Sequence, residues 1–226
     1  MTTRAAESAE APGTADQRRA QMLHAALEVI SARGYADTRI ADVAERAGVS
    51  PALVIYYFKT KDQLLTEAIR HYEDTWYSVG QSRMAGLPTA AARLEEFVAM
   101  SCLTESDPDP DSSWQLWLDF WAQAARNEEV ASVRQKSDER WREVIIALVQ
   151  EGQDAGEFRP VDPTSFAIYL STLLDGLTIQ IALNDPIVDA VSAFELSMRF
   201  VADQLGFDWT PGRGRDRAQP DGTAEG

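Results

Sequence analysis

Trp114, Trp117 and Trp121 recur at spacings of three, four and seven residues, which puts them on one face of a helix. Aromatic faces attract primary and quaternary ammonium ions by about 0.5–2 kcal/mol each. Such a stripe serves either as packed interior or as the wall of a pocket for a small cation. Covalent and acid–base chemistry finds poorer material here. The two histidines, His24 and His71, fall on different predicted helices, and His71 with Cys102 and the nearby acids does not make a metal-ligand spacing. No glycine-rich phosphate loop or nucleophile motif occurs. The acidic run DPDPDSS at 107–113 imitates the start of a calcium loop. However, Ser112 stands where that loop needs its glycine, and Leu118 where it needs its bidentate glutamate. The lone Cys102 excludes an internal disulfide and lies in an apolar, helical segment, as a core residue would. These features point away from an enzyme, and no cofactor or metal is expected.

The most telling spacing lies at 38–65, TRIADVAERAGVSPALVIYYFKTKDQLL within its surroundings. Ile40, Val43, Ala44 and Ala47 share a helical face, so a helix is predicted over 40–47. Gly48 ends it, because glycine adopts the left-handed conformation that closes a helix. Ser50 is a good N-cap and Pro51 suits a first helical position, so a second helix is predicted over 51–58. Two short helices around a three-residue turn are the layout of a DNA-binding helix-turn-helix, whose second helix enters the major groove.

The remainder also reads as helix: 17–33 before this motif, then 61–82, 90–103, 114–126, 128–153, 164–183 and 187–205. A loop is predicted at 104–113, where two prolines would interrupt a helix interior. No β-hairpin signal appears. The expected fold is all-α with about nine helices. It comprises a three-helix head at 17–60, a larger ligand-binding and dimerisation body at 61–207, and disordered ends at 1–16 and 208–226. The tail arginines Arg213, Arg215 and Arg217 read as a solvated segment. No apolar run approaches the length of a membrane span, and no signal peptide opens the chain, so a cytoplasmic protein without a membrane partner is expected.

Net charge is −15 over 226 residues, an unpromising value for a DNA binder. Its distribution matters more than its sum. Residues 1–72 are neutral overall, 17–72 carry +2, and the whole excess of acid falls at 73–226. A weakly basic head on an acidic body turns the head toward phosphates.

The motif ADTRIADVAERAGVSPALVIYYFKTKDQLL, with Gly34 and Tyr35 before it, resembles the TetR family of bacterial transcriptional regulators. WLDFWAQAARNEEV and LLDGLTIQIAL further on resemble its choline/betaine-type repressor subgroup. The resemblance implies a ligand-responsive repressor that binds a palindromic, double-stranded DNA operator as a homodimer and is released by a small-molecule effector. A cationic amine is one candidate. An apolar or aromatic effector, an activator, and more remotely an enzyme or a protein that binds ligand without DNA stay open.

The resemblance further implies a recognition helix at Pro51–Phe58 exposing Pro51, Ala52, Ile55 and Tyr56, with Ser50 at its start. Ala52 and Ile55 suit thymine methyl groups, and Tyr56 and Tyr57 suit phosphates or a base edge. Lys61 opens the next helix beside a phosphate. Thr38 is expected as N-cap of the preceding helix and as a phosphate donor, with Arg39 beside it. The chain departs from the family where Ile55 replaces a common tyrosine and Pro51 a common lysine. Specificity is therefore expected to lean on methyl contacts and DNA shape.

In the body, the pocket is expected among the helices beginning at Ala90, Trp114, Glu128 and Thr164. Its wall would comprise Met100, Trp114, Trp117, Phe120, Trp121, Phe166 and Tyr169. The last two helices carry apolar residues on more than one side, so they are expected to pair with their symmetry mates as a four-helix bundle. Ile168, Leu173, Gly176, Leu177, Phe194, Met198 and Val201 are the expected interface. Sequence alone assigns no role to Asp175 beside the glycine.

Overall fold

The computed structural model describes residues 14–103 and 110–212, with the side chains at 110–115 outside that description. Among the described residues there are nine helices and no strand. The chain divides into two compact units within its fourth helix, between His71 and Tyr72.

The head begins with α1 (Ala15–Arg33), which starts earlier than expected. Thr14 accepts from the backbone N–H of Gln17, and the Gln17 side chain accepts from the Thr14 N–H, closing a reciprocal cap. Residues 14–16 are thus ordered rather than part of a loose end. The second helix, α2 (Ile40–Arg46), and the third, α3 (Pro51–Phe58), flank Gly48, whose φ of 65° supplies the left-handed turn. Thr38 is not the cap of α2. Arg39 holds that position, its N–H donating to Asp42 Oδ2 at 2.8 Å. Met22, Leu23, Ile30, Val43, Val54 and Phe58 fill the core of the head. The start of α4 (Lys61–Met84) adds Leu64, Leu65, Ala68 and Ile69 to it, so the stretch 61–71 belongs with the head.

The body is built from the rest of α4 with α5 (Ala90–Cys102), α6 (Pro110–Ala124), α7 (Glu128–Asp154), α8 (Pro163–Ala182) and α9 (Ala190–Leu205). The loop expected at 104–113 is shorter than predicted. Pro110 opens α6, at a first position where a missing N–H costs nothing, while 104–109 lie outside the described residues. The start of α9 moves from 187 to Ala190 because Asp189 and Ser192 cap each other. Gly152 admits the Phe158 ring against the α7 backbone, where any Cβ would collide with it.

One shared core runs through α5, α7, α8 and α9. Leu177, Phe194, Met198 and Val201 lie in it, each at most 7% exposed. The apolar pattern places them at a dimer interface, but they are spent inside one protomer. A helix apolar on two sides packs both into its own unit and outward, and residue type alone does not separate the two faces. Trp209 packs edge-on against Phe194 with ring centres 5.9 Å apart, so the ordered body extends past 207. The disorder expected at 1–13 and in the tail with Arg213, Arg215 and Arg217 falls outside the described residues. In length and composition α8 could cross a bilayer, contrary to the sequence-based expectation, but it carries Asp175 and contributes Phe166, Leu170, Leu174 and Leu177 to the core of the body.

Candidate functional site

Two surfaces can do chemistry, one in each unit. On the head, Val54 and Phe58 anchor α3 inward, both fully buried. The opposite face shows Pro51 and Ala52, with Ile55 52% and Tyr56 77% exposed. Exposure of this size on one short helix is costly unless a partner covers it. Tyr57 is half-buried and meets Tyr56 edge-on at 5.6 Å. Ser50 Oγ accepts from the Leu53 N–H at 3.3 Å, fixing the start of the helix. Lys61 donates to the Ala36 carbonyl at 3.3 Å and lies 4.1 Å from the centre of the Tyr35 ring. Thr38 turns inward: it is 3% exposed and its hydroxyl donates to the Gly34 carbonyl at 2.8 Å.

The basic side chains of the head divide into two sets. Arg19 pairs with Glu67, Arg33 with Asp42 at 3.4 Å, and Arg46 with Glu28 at 2.7 Å. Arg39 and Lys59 are exposed and Arg18 half-buried, and none of the three forms an ion pair among the described residues. Arg18 and Lys59 are absent from the set expected from sequence. Lys59 caps the end of α3 at a φ of 54°.

In the body, α4, α5, α6, α7 and α8 enclose a cavity of about 190 Å³. Tyr72, Trp76 and Tyr77 come from α4, Met100 and Ser101 from α5, Trp117 and Trp121 from α6. Ser137, Asp138, Trp141 and Arg142 come from α7, and Ile168, Ser171, Thr172, Leu174, Asp175 and Thr178 from α8. The rings form two groups. Tyr72 meets Trp117 edge-on at 6.3 Å, and Trp117 lies 6.4 Å from Trp121. Trp76 lies 5.2 Å from Trp141, and both pack on Phe97, at 5.7 and 4.6 Å.

Of the expected wall, Met100, Trp117 and Trp121 line the cavity. Phe120 and Phe166 do not, because both are spent in packing, at 0% and 4% exposure. Tyr169 faces outward at 64% exposure, and the Trp114 side chain lies outside the described residues. Ile168, expected at the dimer interface, lines the cavity and is also 49% exposed. The contribution of α4 was missed altogether, as was Trp141, although WY at 76–77 and a lone tryptophan in a charged helix were both visible.

Three carboxyl groups from three helices reach this cavity, and all are held above the usual range. Burial raises Glu73, against a hydrogen bond from Ser137 and the charge of Arg140. Burial also raises Asp138, against Arg134 and Arg142. Enclosure by protein and then the Asp138 charge push Asp175 up to about 6. Burial, with Glu73 adding to it, holds the Tyr77 phenol far above its ordinary value. In each case burial outweighs the nearby arginines, so the ionised form is incompletely compensated. Among the described residues, no three His, Cys, Asp or Glu side chains converge as metal ligands would. The arrangement suits an organic cation, which gains from rings and carboxylates together.

Comparison with known proteins gives the family of both units. Residues 22–68 match the family model of bacterial regulatory proteins of the tetR family, and 90–206, more than half the chain, match that of the BetI-type transcriptional repressor C-terminal domain. The HTH-type transcriptional regulator BetI of Escherichia coli is 28% identical over 197 residues, covering 84% of this chain and 95% of its own. BetI of Burkholderia ambifaria is also 28% identical, covering 87% and 98%. A transcriptional regulator from Saccharomonospora viridis, solved in complex with choline, superposes with a TM-score of 0.74 at 26% identity, covering 82% of this chain and 96% of its own. A TetR-family regulator from Rhodococcus gives a TM-score of 0.75 at 25% identity, covering 84% and 99%.

Proposed function

We propose a function from one premise: this chain belongs to the TetR family of bacterial regulatory proteins, with a BetI-type C-terminal domain. It is accordingly a transcriptional regulator, and its body is the ligand-binding part. The finer reading is a cytoplasmic repressor that grips a palindromic operator as a homodimer and lets go when a small cationic amine enters the cavity of the body. One observation carries the choice of ligand. The same cavity joins six aromatic side chains, Tyr72, Trp76, Tyr77, Trp117, Trp121 and Trp141, with carboxylates from three helices. A neutral apolar guest would leave the Asp175 carboxylate, which has no hydrogen bond or ion pair among the described residues, without a partner, whereas a cation supplies one. The choline bound by the Saccharomonospora relative supports the same ligand class.

On the DNA side, Pro51, Ala52, Ile55 and Tyr56 read the major groove, and Arg18, Arg39, Tyr57, Lys59 and Lys61 meet phosphates, with Ser50 holding the helix start. Thr38 is withdrawn from this set because its hydroxyl is committed inside the head. The homodimer surface is the outward stripe of α8, Tyr169, Leu173 and Gly176, with Leu196 and Phe200 on α9. Leu196 is 46% exposed, and among the described residues nothing lies within 4 Å of where a Cβ on Gly176 would stand. Helix α4 holds residues of both the head core and the cavity wall, so it is the natural element for coupling. By linkage, an effector that weakens operator binding by some factor is itself bound more weakly by that factor on the operator.

Fluorescence anisotropy of labelled DNA from upstream of this protein's own gene, titrated with protein at moderate salt, tests the reading. Saturable binding released by choline, betaine aldehyde or a polyamine is expected, and sedimentation should return twice the 25.0 kDa mass of the chain. Release by neutral aromatic compounds but by no cation would overturn the ligand class. Binding as a monomer, insensitive to all of them, would overturn the mechanism.

A further inference from the structure

The cation reading leaves open which group carries the ligand's charge. Four charged side chains line the cavity: Glu73, Asp138, Arg142 and Asp175. Glu73 takes a hydrogen bond from Ser137 and is 8% exposed. Asp138 is ion-paired with Arg134 at 2.5 Å, with Arg142 close by. The Asp175 carboxylate makes no hydrogen bond or ion pair among the described residues, although the Arg134 and Arg142 charges act on it from a distance. The hydroxyls nearest along α8 are already committed. Thr172 donates to the Ile168 carbonyl at 2.8 Å, and Thr178 to the Leu174 carbonyl at 2.8 Å.

Asp175 is also reachable. It remains exposed, whereas Ser171 and Thr178, on either side of it along the same lining face, are buried. A second, independent feature marks this stretch of wall as unfinished. Ser171 is 8% exposed, lines the cavity, and its hydroxyl has no partner among the described residues. A partly enclosed carboxylate without a donor, one turn from an unpaired hydroxyl and facing an aromatic cavity, is a counter-ion without its ion.

We infer that Asp175 is the counter-ion of the effector, the carboxylate against which its cationic centre sits. This rests on the cavity being a cation site, and it gives a purpose to the acid in the apolar LLDGL segment, to which sequence alone assigns none.

The charges facing Asp175 set the sign of the pH dependence. They are Asp138, Arg134 and Arg142 on α7; Tyr72, Glu73 and Tyr77 line the same cavity from α4, and among the described side chains α5 and α6 bring no titratable group to it. Burial and then the Asp138 charge push Asp175 up to about 6. A permanently charged cation favours its ionised form, so affinity rises with pH through that value and a proton leaves on binding. At pH 5 only about a tenth of the empty sites would be ionised, which predicts roughly tenfold weaker binding than at pH 7.5.

Isothermal titration calorimetry of the full chain with choline chloride, at pH 5 and pH 7.5, tests this. Asp175→Asn, nearly the same size, is expected to weaken choline binding about tenfold or more at pH 7.5 and to flatten the pH dependence, while Asp175→Glu restores part of both. Asp203→Asn, which removes an equal charge outside the cavity, should stay within about twofold. Unaltered choline affinity and pH dependence in Asp175→Asn, against a wild type that binds choline, would overturn the assignment and leave the cation reading standing. A wild type that takes up no choline, tetramethylammonium or spermidine would overturn both.

Discussion

The head and the body place the same kinds of side chain in opposite ways. The head turns aromatic and apolar groups outward on α3, with Tyr56 77% and Ile55 52% exposed, and ties three of its arginines to its own acids. The body turns its rings inward, around a cavity into which three carboxyl groups also reach. One unit is made to be covered by something larger than itself, and the other to surround something smaller. An exposed tyrosine in the head and an enclosed tryptophan in the body are therefore both unfinished contacts, completed by different classes of partner.

The largest test of this contrast concerns packing. Phe97 is fully buried and supports both Trp76 and Trp141. Phe97→Ala should cost about 3–5 kcal/mol in urea unfolding followed by circular dichroism, and it should abolish cation uptake. A loss below about 1 kcal/mol would mean that the cavity wall does not depend on that support. Next comes Tyr56→Ala, which leaves no hole in either core. Operator affinity should fall about tenfold, the scale of a lost base-pair contact, while choline titrations stay at the wild-type value. Equal losses in both assays would erase the division of labour. Ser50→Ala removes a helix cap and should lower the stability of the head by about 1 kcal/mol, read as a shift in thermal unfolding. The smallest effect separates the two sets of arginines. Arg39→Ala should reduce the slope of log affinity against log salt by about 1.8, one phosphate contact from each of the two subunits. Arg46→Ala, already neutralised by Glu28, should leave that slope unchanged.

The two regions also differ in how far the sequence reveals them. The spacing Ile40, Val43, Ala44, Ala47, then Gly48, Ser50 and Pro51, is local, and the backbone and capping bonds that shape the turn join residues a few positions apart, with one bond from the Gln21 side chain to the Ala47 carbonyl added from α1. Periodicity and capping rules suffice for such an element. Thr38 escapes them because a threonine before a helix looks like a cap whether its hydroxyl points to the helix ahead or back to Gly34. The cavity is nonlocal. Trp76, Trp117 and Trp141 come together from three helices, and no spacing along the chain encodes that meeting. For the same reason Phe120 and Trp121, adjacent on α6, part company: one is sealed in the core and the other lines the cavity. In α8 and α9 the apolar positions are visible, but which of two apolar faces a helix keeps for its own protomer depends on its neighbours. Leu177, Phe194, Met198 and Val201 are misplaced by sequence on that account.

All six tryptophans lie beyond residue 75, and Trp76, Trp117, Trp121 and Trp141 line one cavity. The head has none. Intrinsic emission excited at the red edge of the indole band is therefore a signal from the body alone, and much of it originates within reach of a bound guest. The protein carries its own optical gauge of occupancy, and the unit that meets DNA stays dark to it. A label placed on the operator supplies the second channel, so occupancy of the cavity and release of the operator can be followed as separate clocks in one stopped-flow experiment.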